Sequence, residues 1–293
     1  MKKIIKISIS VVLIIAAAYV IQNIVGEKTS LVPESIQEND RKDNTSTVSE
    51  NSLFFVYTEE DDFIGKSESG VDNFVRYLLH PKKENMELYN SLSSKNTKQS
   101  TVVIIPLFTM LAYTNPGFYD YYAGICDESC LTVNAISAHQ NAKFDYRSSA
   151  MANQVFQILG YERISDADVN QDPSILSKYD RVILLHNEYV TKKMFDAITN
   201  HPKVIYLYPN ALYAEISVDE KNSTITLIRG HGYPEETIAN GFDWEFENTD
   251  PYEFDKKCEN WEFYEIDNGF MLNCYPEEII FNDVKLLETI RDL

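Results

Sequence analysis

Four polar residues end an apolar run at the point where a buried strand would stop. Residues 182–185 are apolar, and His186-Asn187-Glu188-Tyr189 follows them directly. A short continuous apolar run that leads into a helical pattern is typical of a buried parallel strand. Ligands of open α/β sheets bind outside the carboxyl ends of such strands. The pattern therefore predicts a functional site around His186, Glu188 and Tyr189.

Two further polar clusters follow later predicted strands. Asn210 and Tyr213 come after the strand Val204–Tyr208, and the segment RGHGY, residues 229–233, comes after the strand Thr224–Ile228. We expect all three clusters to converge at one edge of the sheet. The candidate ligand-binding side chains are Tyr189, Tyr213, Arg229 and Tyr233.

These residue types suit proton transfer and oxygen ligation. Glu188 is a candidate general base or metal ligand, and His186 and His231 are candidate proton carriers or metal ligands. Asn210 is a candidate donor to a developing oxyanion. Each also has a structural interpretation. A strand-end histidine often bonds a loop carbonyl, and Asn210 can cap a turn. The negative charge of Glu188 can interact favourably with the positive end of the next helix's dipole. The sequence leaves both interpretations open.

A tyrosine-rich segment, YTNPGFYDYYAGICDESC, spans Tyr113 to Cys130. Asn-Pro-Gly is typical of a turn. The aromatic side chains either form a wall on which a ligand stacks, or simply pack within a loop that a disulfide pins.

Alternating strand and helix patterns predict the fold class. Helices are predicted over Ser148–Leu159 and Thr191–Thr199, with Thr191 as N-cap, and strands over Arg181–Leu185 and Val204–Tyr208. This order predicts a parallel, doubly wound α/β sheet with right-handed crossovers.

The flanking regions extend this sheet. The first section is predicted as strand, helix and strand over Leu53–Tyr57, Val71–Leu79 and Thr101–Phe108. After Tyr208, hairpin patterns predict an antiparallel β extension, and a helix is predicted over Val284–Arg291. We find no internal repeat and no Gly-rich phosphate loop.

Composition limits the class of partner. The 293 residues are 44% hydrophobic, which is enough for a sizeable core. The formal net charge of −19 argues against nucleic acid as a partner, because phosphate binding needs clustered Lys and Arg.

The N-terminus has the pattern of a membrane segment. Lys2, Lys3 and Lys6 precede an uncharged run from Ile7 to Val25, which is about long enough to cross a ~30 Å hydrocarbon core. A signal peptide cleaved near Ala16–Ala18 is the alternative, but the apolar run continues past these alanines and favours an uncleaved anchor.

Three regions follow from this pattern: an anchor over residues 1–25, a polar linker over 26–51, and an extracytoplasmic α/β domain over 52–293. Both interpretations of the N-terminus place the rest of the chain outside the cytoplasm. The membrane is thus one expected partner, and a small molecule or an envelope protein is another.

Four cysteines in an exported chain suggest two disulfides, with three possible connectivities. We expect sequential pairing, Cys126 with Cys130 and Cys258 with Cys274. Cys126 and Cys130 have a spacing that would also let two thiolates bind a metal, but no further His or Cys follows at a suitable distance.

A family resemblance runs through the segment Tyr146–Tyr213. Its pieces are Leu159-Gly-Tyr161, Asp166–Asp168, Ser177–Tyr189 and Tyr206–Tyr213. They resemble the class I glutamine amidotransferase-like fold and, within it, the C-terminal domain of the N,N-dimethylformamidase large subunit. Three other segments, Phe118–Tyr122, Cys126–Val133 and Arg229–Pro234, resemble a family of membrane-anchored proteins of ammonia-oxidising archaea.

The resemblance has consequences for chemistry. Glutaminases of this superfamily carry a nucleophilic cysteine after a strand, whereas Val204–Tyr208 leads into Pro209-Asn210, so cysteine-dependent glutamine hydrolysis is not expected. The dimethylformamidase relatives are similar to iron enzymes whose metal is held by tyrosines and a glutamate. The resemblance implies Glu188 and Tyr189 as ligands of an iron or zinc ion.

Two functions remain at this stage. The first is an amidotransferase-like domain that binds a ligand or a partner without a cysteine nucleophile. The alternative is a metal-assisted hydrolase of amide or other C–N bonds.

Overall fold

The computed structural model describes residues 46–47, 52–67, 70–96, 98–135, 149–246 and 258–293. Its strands are β1 (Ser46–Thr47), β2 (Phe54–Ser67), β3 (Gly70–Pro81), β4 (Thr101–Ile105), β5 (Thr132–Asn134), β6 (Glu162–Ser165), β7 (Arg181–Leu184), β8 (Tyr189–Val190), β9 (Val204–Tyr206), β10 (Ala214–Asp219), β11 (Thr224–Arg229), β12 (Phe263–Ile266) and β13 (Gly269–Leu272). Its α-helices are α1 (Met86–Leu92), α2 (Leu107–Ala112), α3 (Phe118–Tyr122), α4 (Ala150–Ile158), α5 (Asp166–Gln171), α6 (Lys192–Thr199) and α7 (Val284–Asp292).

The largest sheet is mostly parallel. Its order is β12-β13-β9-β7-β4-β6, and every neighbouring pair is parallel except the hairpin of β12 with β13 at one edge. The strands β4, β7 and β9 are short, β-branched and buried along their whole length, as expected of parallel strands that are covered on both faces. The predicted parallel α/β sheet is confirmed.

Alternate residues of these strands enter two different cores. Val102, Val182 and Val204 pack on the face that carries α2, α6 and the second sheet. Val103 and Ile183 pack on the opposite face, with residues of α4 and α7. This alternation follows from the two-residue period of a strand, and it places helices on both faces of the sheet.

A second, four-stranded sheet has the order β5-β11-β10-β8. Its strands pair antiparallel except for β10 with β8, where Ala214 lies opposite Tyr189. The predicted antiparallel region is therefore divided: β12 and β13 join the main sheet, whereas β10 and β11 form the second one. Because β8 begins one residue after Glu188, this residue lies where the chain passes from one sheet to the other.

The helix predicted over Val71–Leu79 is wrong. These residues belong to β3, which pairs antiparallel with β2 in a long hairpin. The apolar spacing fits a helix, but a partner strand satisfies the backbone over the same residues, and tertiary pairing overrides the local pattern. The strand predicted to reach Phe108 ends at Ile105, and α2 begins at Leu107.

Helix starts follow their capping residues. Thr191 accepts a hydrogen bond from the Met194 backbone at the start of α6, as predicted. Asp283 caps α7 in the same way through Leu286.

Both predicted disulfides are present, Cys126–Cys130 and Cys258–Cys274. No helix in the described part of the chain has the length and apolar character to span a membrane. The predicted anchor, residues 1–25, lies outside the described residues.

Candidate functional site

The order of the main sheet creates a crevice between β4 and β7. The chain runs from β4 to β6 on one side and then returns to β7 on the other side of β4. The connections that leave the carboxyl ends of β4 and β7 therefore diverge, and such a switch point is the usual ligand site of an open α/β sheet. The segment after β4 carries Tyr113 and Tyr119, and the segment after β7 carries His186 and Glu188.

The Glu188 carboxylate lies at the centre of this site and is fully buried. The hydroxyl of Tyr113 donates to Glu188 Oε2 at 2.7 Å, and the hydroxyl of Tyr119 donates to Oε1 at 3.3 Å. His231 Nε2 is hydrogen-bonded to Oε1, and His186 Nε2 lies 3.6 Å from Oε2. Four polar side chains from three parts of the chain thus face one carboxylate.

The backbone around Glu188 is held on two sides. Its N–H donates to Thr109 Oγ1 of α2 at 2.9 Å. Its carbonyl accepts from the N–H groups of Tyr213 and Ala214, both at 2.9 Å. Hydrogen bonds from both neighbouring elements therefore fix the residue before its side chain is considered.

His231 reaches Glu188 from a glycine-flanked turn after β11. Gly230 and Gly232 have φ values of +124° and +76°, and His231 itself has +53°. A Cβ on Gly230 would lie 2.9 Å from both Cα and Cβ of Ala214. Glycine is thus required here for its conformation and for the close approach of the turn to β10.

Tyrosine rings surround the His231 imidazole. The ring of Tyr189 stacks on it at 5.7 Å between centroids, and Tyr213 meets it edge-on at 4.5 Å. Tyr122 and Tyr119 lie 5.1 and 6.2 Å away. The rings limit the solvent contact of the histidine and orient its Nε2 toward the carboxylate.

Electrostatics favour an ionised Glu188. Burial pushes the pKa of Glu188 upward, but His231, His186 and the Tyr113 hydroxyl outweigh it, and the pKa lies below its usual value. Burial, together with the charge of Glu188, raises the pKa of Tyr113 well above the ordinary value of 10.0. Glu188 is therefore present as a carboxylate, and neutral phenol hydroxyls donate hydrogen bonds to it.

His186 is a buried imidazole without a well-formed hydrogen bond. Neither of its ring nitrogens has a hydrogen-bond partner among the described residues, although the Asn210 side chain approaches it. Its ring packs against those of Tyr208 and Tyr275, both 5.6 Å away. Burial lowers the pKa of His186, and the nearby Glu188 carboxylate only partly offsets this, so its nitrogens are available as ligands.

The predicted site residues separate into two groups. His186, Glu188 and His231 converge as expected, Asn210 lies beside His186, and the rings of Tyr189 and Tyr213 contact His231. Arg229 is directed elsewhere: its guanidinium binds Asp243 and the Gly241 carbonyl. Tyr233 contacts Tyr121 at 6.0 Å between ring centroids.

Two donors to Glu188 were missed from the sequence. In the sequence, Tyr113 and Tyr119 stand out only as members of an aromatic segment. The position of that segment after the carboxyl end of β4 was the available signal. Tyr189, selected as a ligand beside Glu188, directs its hydroxyl to Tyr122 at 3.4 Å. The Tyr189 ring nevertheless contacts His231, the same imidazole that binds Glu188 Oε1.

The oxygen atoms around Glu188 have a spacing that suits a metal ion. Tyr113 Oη and Tyr119 Oη are 3.1 Å apart, and each lies 2.7 to 3.3 Å from a Glu188 oxygen. Ligand oxygens held about 2 Å from one metal ion are roughly 3 Å apart. The orphaned nitrogens of His186 add nitrogen donors nearby. The set fits a first-row metal such as iron or zinc.

Conventional ligand clusters do not provide this site. Within the described ranges, no group of three or more His, Cys, Asp or Glu side chains has the arrangement of a metal centre. The fit depends on phenol oxygens, which that set of residue types leaves out.

An open surface groove of about 590 Å³ lies elsewhere, along β10 and the start of α6. Its lining includes Ile216, Val218 and Lys192, and none of Tyr113, Glu188 and His231 belongs to it. The carboxylate site is enclosed by comparison, with the exposed Tyr119 ring at its outer side.

No protein-family model matches the chain, and no curated protein is similar to it.

Proposed function

We propose that this protein is a metal-assisted hydrolase of amide or other C–N bonds, with Glu188 at its centre. One observation carries the proposal: the hydroxyl oxygens of Tyr113 and Tyr119 lie 3.1 Å apart, and they lie 2.7 and 3.3 Å from Oε2 and Oε1 of the buried Glu188 carboxylate, so four oxygens form a compact cluster. An ionised carboxylate that four polar side chains surround in a dry interior is costly to maintain, which favours a functional role.

The chain's own residues divide the work. Glu188, Tyr113 and Tyr119 would hold a metal ion, and His186 would supply an imidazole nitrogen beside them. Such an ion would polarise a substrate carbonyl and lower the pKa of a bound water. His231, next to Glu188 Oε1, would accept the proton that the attacking water loses and deliver it to the leaving nitrogen. Asn210, beside His186, donates to the developing oxyanion.

We extend the proposal to family and location. The parallel sheet, with its site at the β4–β7 crevice, is compatible with the class I glutamine amidotransferase-like resemblance and with the dimethylformamidase likeness. Two disulfides are compatible with an oxidising compartment. The protein is thus proposed to be an archaeal-type membrane-anchored domain that faces outside the cytoplasm.

A second candidate is a domain that binds a small ligand or an envelope protein without turnover. The enclosure of the site favours it, because Glu188 has no solvent exposure and His231 already occupies one of its oxygens. In this alternative the exposed Tyr119 ring is part of the binding surface.

Amide hydrolysis by the metal-loaded protein distinguishes the two. The full chain is loaded with iron or with zinc and assayed on small primary, secondary and tertiary amides. Hydrolysis that falls about 10- to 100-fold in Tyr113→Phe and in Glu188→Gln supports the hydrolase. Tyr121→Phe is the matched control, because it removes the hydroxyl of a half-buried tyrosine that is not one of the side chains facing Glu188. Binding of metal without hydrolysis of any amide favours the binding domain.

A further inference from the structure

Asp166 is a fully buried carboxyl outside the proposed metal set. It follows β6 as the first residue of α5. Its Oδ2 accepts from the Phe108 N–H at 2.9 Å and from Asn187 Nδ2 at 3.4 Å. Its Oδ1 has no hydrogen-bond partner among the described residues. One oxygen of this buried carboxyl therefore accepts hydrogen bonds from the described residues, and the other does not.

The side chain of Asn187 likewise has one hydrogen-bonded atom and, among the described residues, one oxygen without a donor. It is fully buried between His186 and Glu188. Its amide nitrogen donates to Asp166, whereas its side-chain oxygen has no partner in the described structure. A buried acceptor without a donor is destabilising, and this pair would contain two. A carboxylic acid and a primary amide remove both defects by forming a cyclic pair with one N–H and one O–H hydrogen bond.

We propose that Asp166 carries a proton at neutral pH and donates it from Oδ1 to the side-chain oxygen of Asn187, and that this acid–amide pair positions Glu188. No further donor is required, because the carboxylic acid supplies the O–H that both unpartnered oxygens lack. The proton stays on Asp166, and no bond other than this hydrogen bond is formed.

The surroundings of Asp166 favour its neutral form. Burial raises the pKa of Asp166 well above 3.8, and the groups that oppose this are uncharged: the N–H groups of Phe108, Ala167 and Leu107 and the Asn187 amide. The titratable neighbour of Asp166 along the chain is Asp168, which binds Ser165. On the side of Asn187, the titratable residues are His186 and Glu188, which flank it in sequence.

The pair joins the segments that build the site. Asp166 binds the first turn of α2 through Phe108, and the last turn of α2 leads to Tyr113. Through Asn187 it also binds the turn that presents Glu188. The 2.7 Å contact between Tyr113 and Glu188 therefore joins two segments that Asp166 holds together. This positioning role rests on the proposed function, whereas the presence of the proton does not.

Infrared spectroscopy of the full chain tests the proton. At pH 9, where Glu277 with its pKa of about 7 has ionised, the parent is expected to show the carbonyl stretch of a protonated carboxyl. This band is expected to be missing from Asp166→Asn and retained in Asp168→Asn. Asn187→Ala, which removes the acceptor, is expected to shift the band and serves as a second probe if Asp166→Asn does not fold. A band absent from the parent, or unaffected by both Asp166→Asn and Asn187→Ala, overturns the proposal.

Metal affinity tests the positioning. Asp166→Asn keeps a hydrogen-bonding side chain of the same shape and is expected to bind metal within a few-fold of the parent, whereas Asp166→Ala is expected to bind about tenfold more weakly or worse. Equal affinities in Asp166→Ala and the parent would overturn the positioning role. A parent that binds no metal but shows the band removes the proposed function and its positioning part, and leaves the proton established.

Discussion

Tyr113 Oη donates a 2.7 Å hydrogen bond to Glu188 Oε2, although the two residues are 75 positions apart. The contact joins the segment after β4 to the segment after β7, at the crevice where the connections of the sheet diverge. A substitution that moves either segment should therefore change the hydrogen bonds of the Glu188 carboxylate.

The turn that carries His231 is sensitive to a single methyl group. In Gly230→Ala, the new Cβ would meet Ala214 at 2.9 Å on a backbone with φ of +124°. We expect the turn to move away from β10, with loss of the His231–Glu188 contact and roughly 2–3 kcal/mol of stability. Histidine NMR signals report the contact, and denaturant unfolding reports the stability.

Gly124→Ala is the matched control for this substitution. Gly124 also has a positive φ, +69°, but no atom lies within 4 Å of its would-be Cβ. It should cost about 1 kcal/mol and leave the histidine signals unchanged. Equal effects of the two variants would mean that backbone strain alone, rather than the close approach to Ala214, explains the loss.

The stability of the fold should depend on pH through Glu277. Burial raises the pKa of Glu277 to about 7, although hydrogen bonds from Tyr208 and the Met151 N–H oppose the shift. Because the folded pKa lies above the ordinary 4.5, this contribution is complete below about pH 4.5 and is lost as pH rises through about 7. The loss is on the order of 3 kcal/mol.

Glu277→Gln imitates the neutral acid, since its amide can donate to Tyr208 while its oxygen accepts from Met151. Unfolding free energies of parent and variant are compared between pH 5 and pH 8.5. The variant should lose less stability than the parent over this range. Parallel curves would show that Glu277 does not titrate differently in the folded and unfolded chain.

The two disulfides should differ in their contribution to stability. Cys258–Cys274 closes a separation of 16 residues and Cys126–Cys130 one of 4. In the chain-entropy model these loops correspond to about 3 and about 2 kcal/mol. Unfolding of the two Cys→Ser double variants measures the difference, and a larger loss from Cys126/Cys130 would contradict this order.

Arg181 should be a stability residue without a role in the site. Its buried guanidinium donates to Thr101 Oγ1 and to the carbonyls of Ile290 and Arg291 at the end of α7. Arg181→Ala leaves these acceptors unserved and should cost about 2–4 kcal/mol. Metal content should not change, and the exposed Lys178→Ala should be neutral in both measurements. A stable Arg181→Ala variant would show that α7 is held by apolar packing alone.

The sequence predicted the central sheet because buried parallel strands have a local signature. Segments such as Val182–Leu185 are apolar throughout and are followed by a capped helix, so pattern and tertiary environment agree. Pattern and tertiary environment disagree in the hairpin of β2 with β3. Val71–Leu79 has helical spacing, and only its pairing with the partner strand makes it extended. Local periodicity carries no information about such a partner.

The candidate site was predictable only in part, for the same reason. His186, Glu188 and His231 end recognisable strands, so their convergence follows from topology. Tyr113 directly follows α2 and Tyr119 lies in the short helix α3, and the path of this segment over the crevice depends on contacts between distant residues. Nothing in the sequence singled out Asp166, because its burial is a property of the folded chain alone.

Metal content of the purified full chain, prepared without added metal, tests the central claim most directly. We predict near-stoichiometric iron or zinc in the parent and in Tyr121→Phe, and loss of most of that metal in Glu188→Gln, which removes the charge but keeps the side-chain shape. A well-folded parent without metal that also takes up none on addition of iron or zinc would contradict the account, as would equal metal content in the parent and Glu188→Gln.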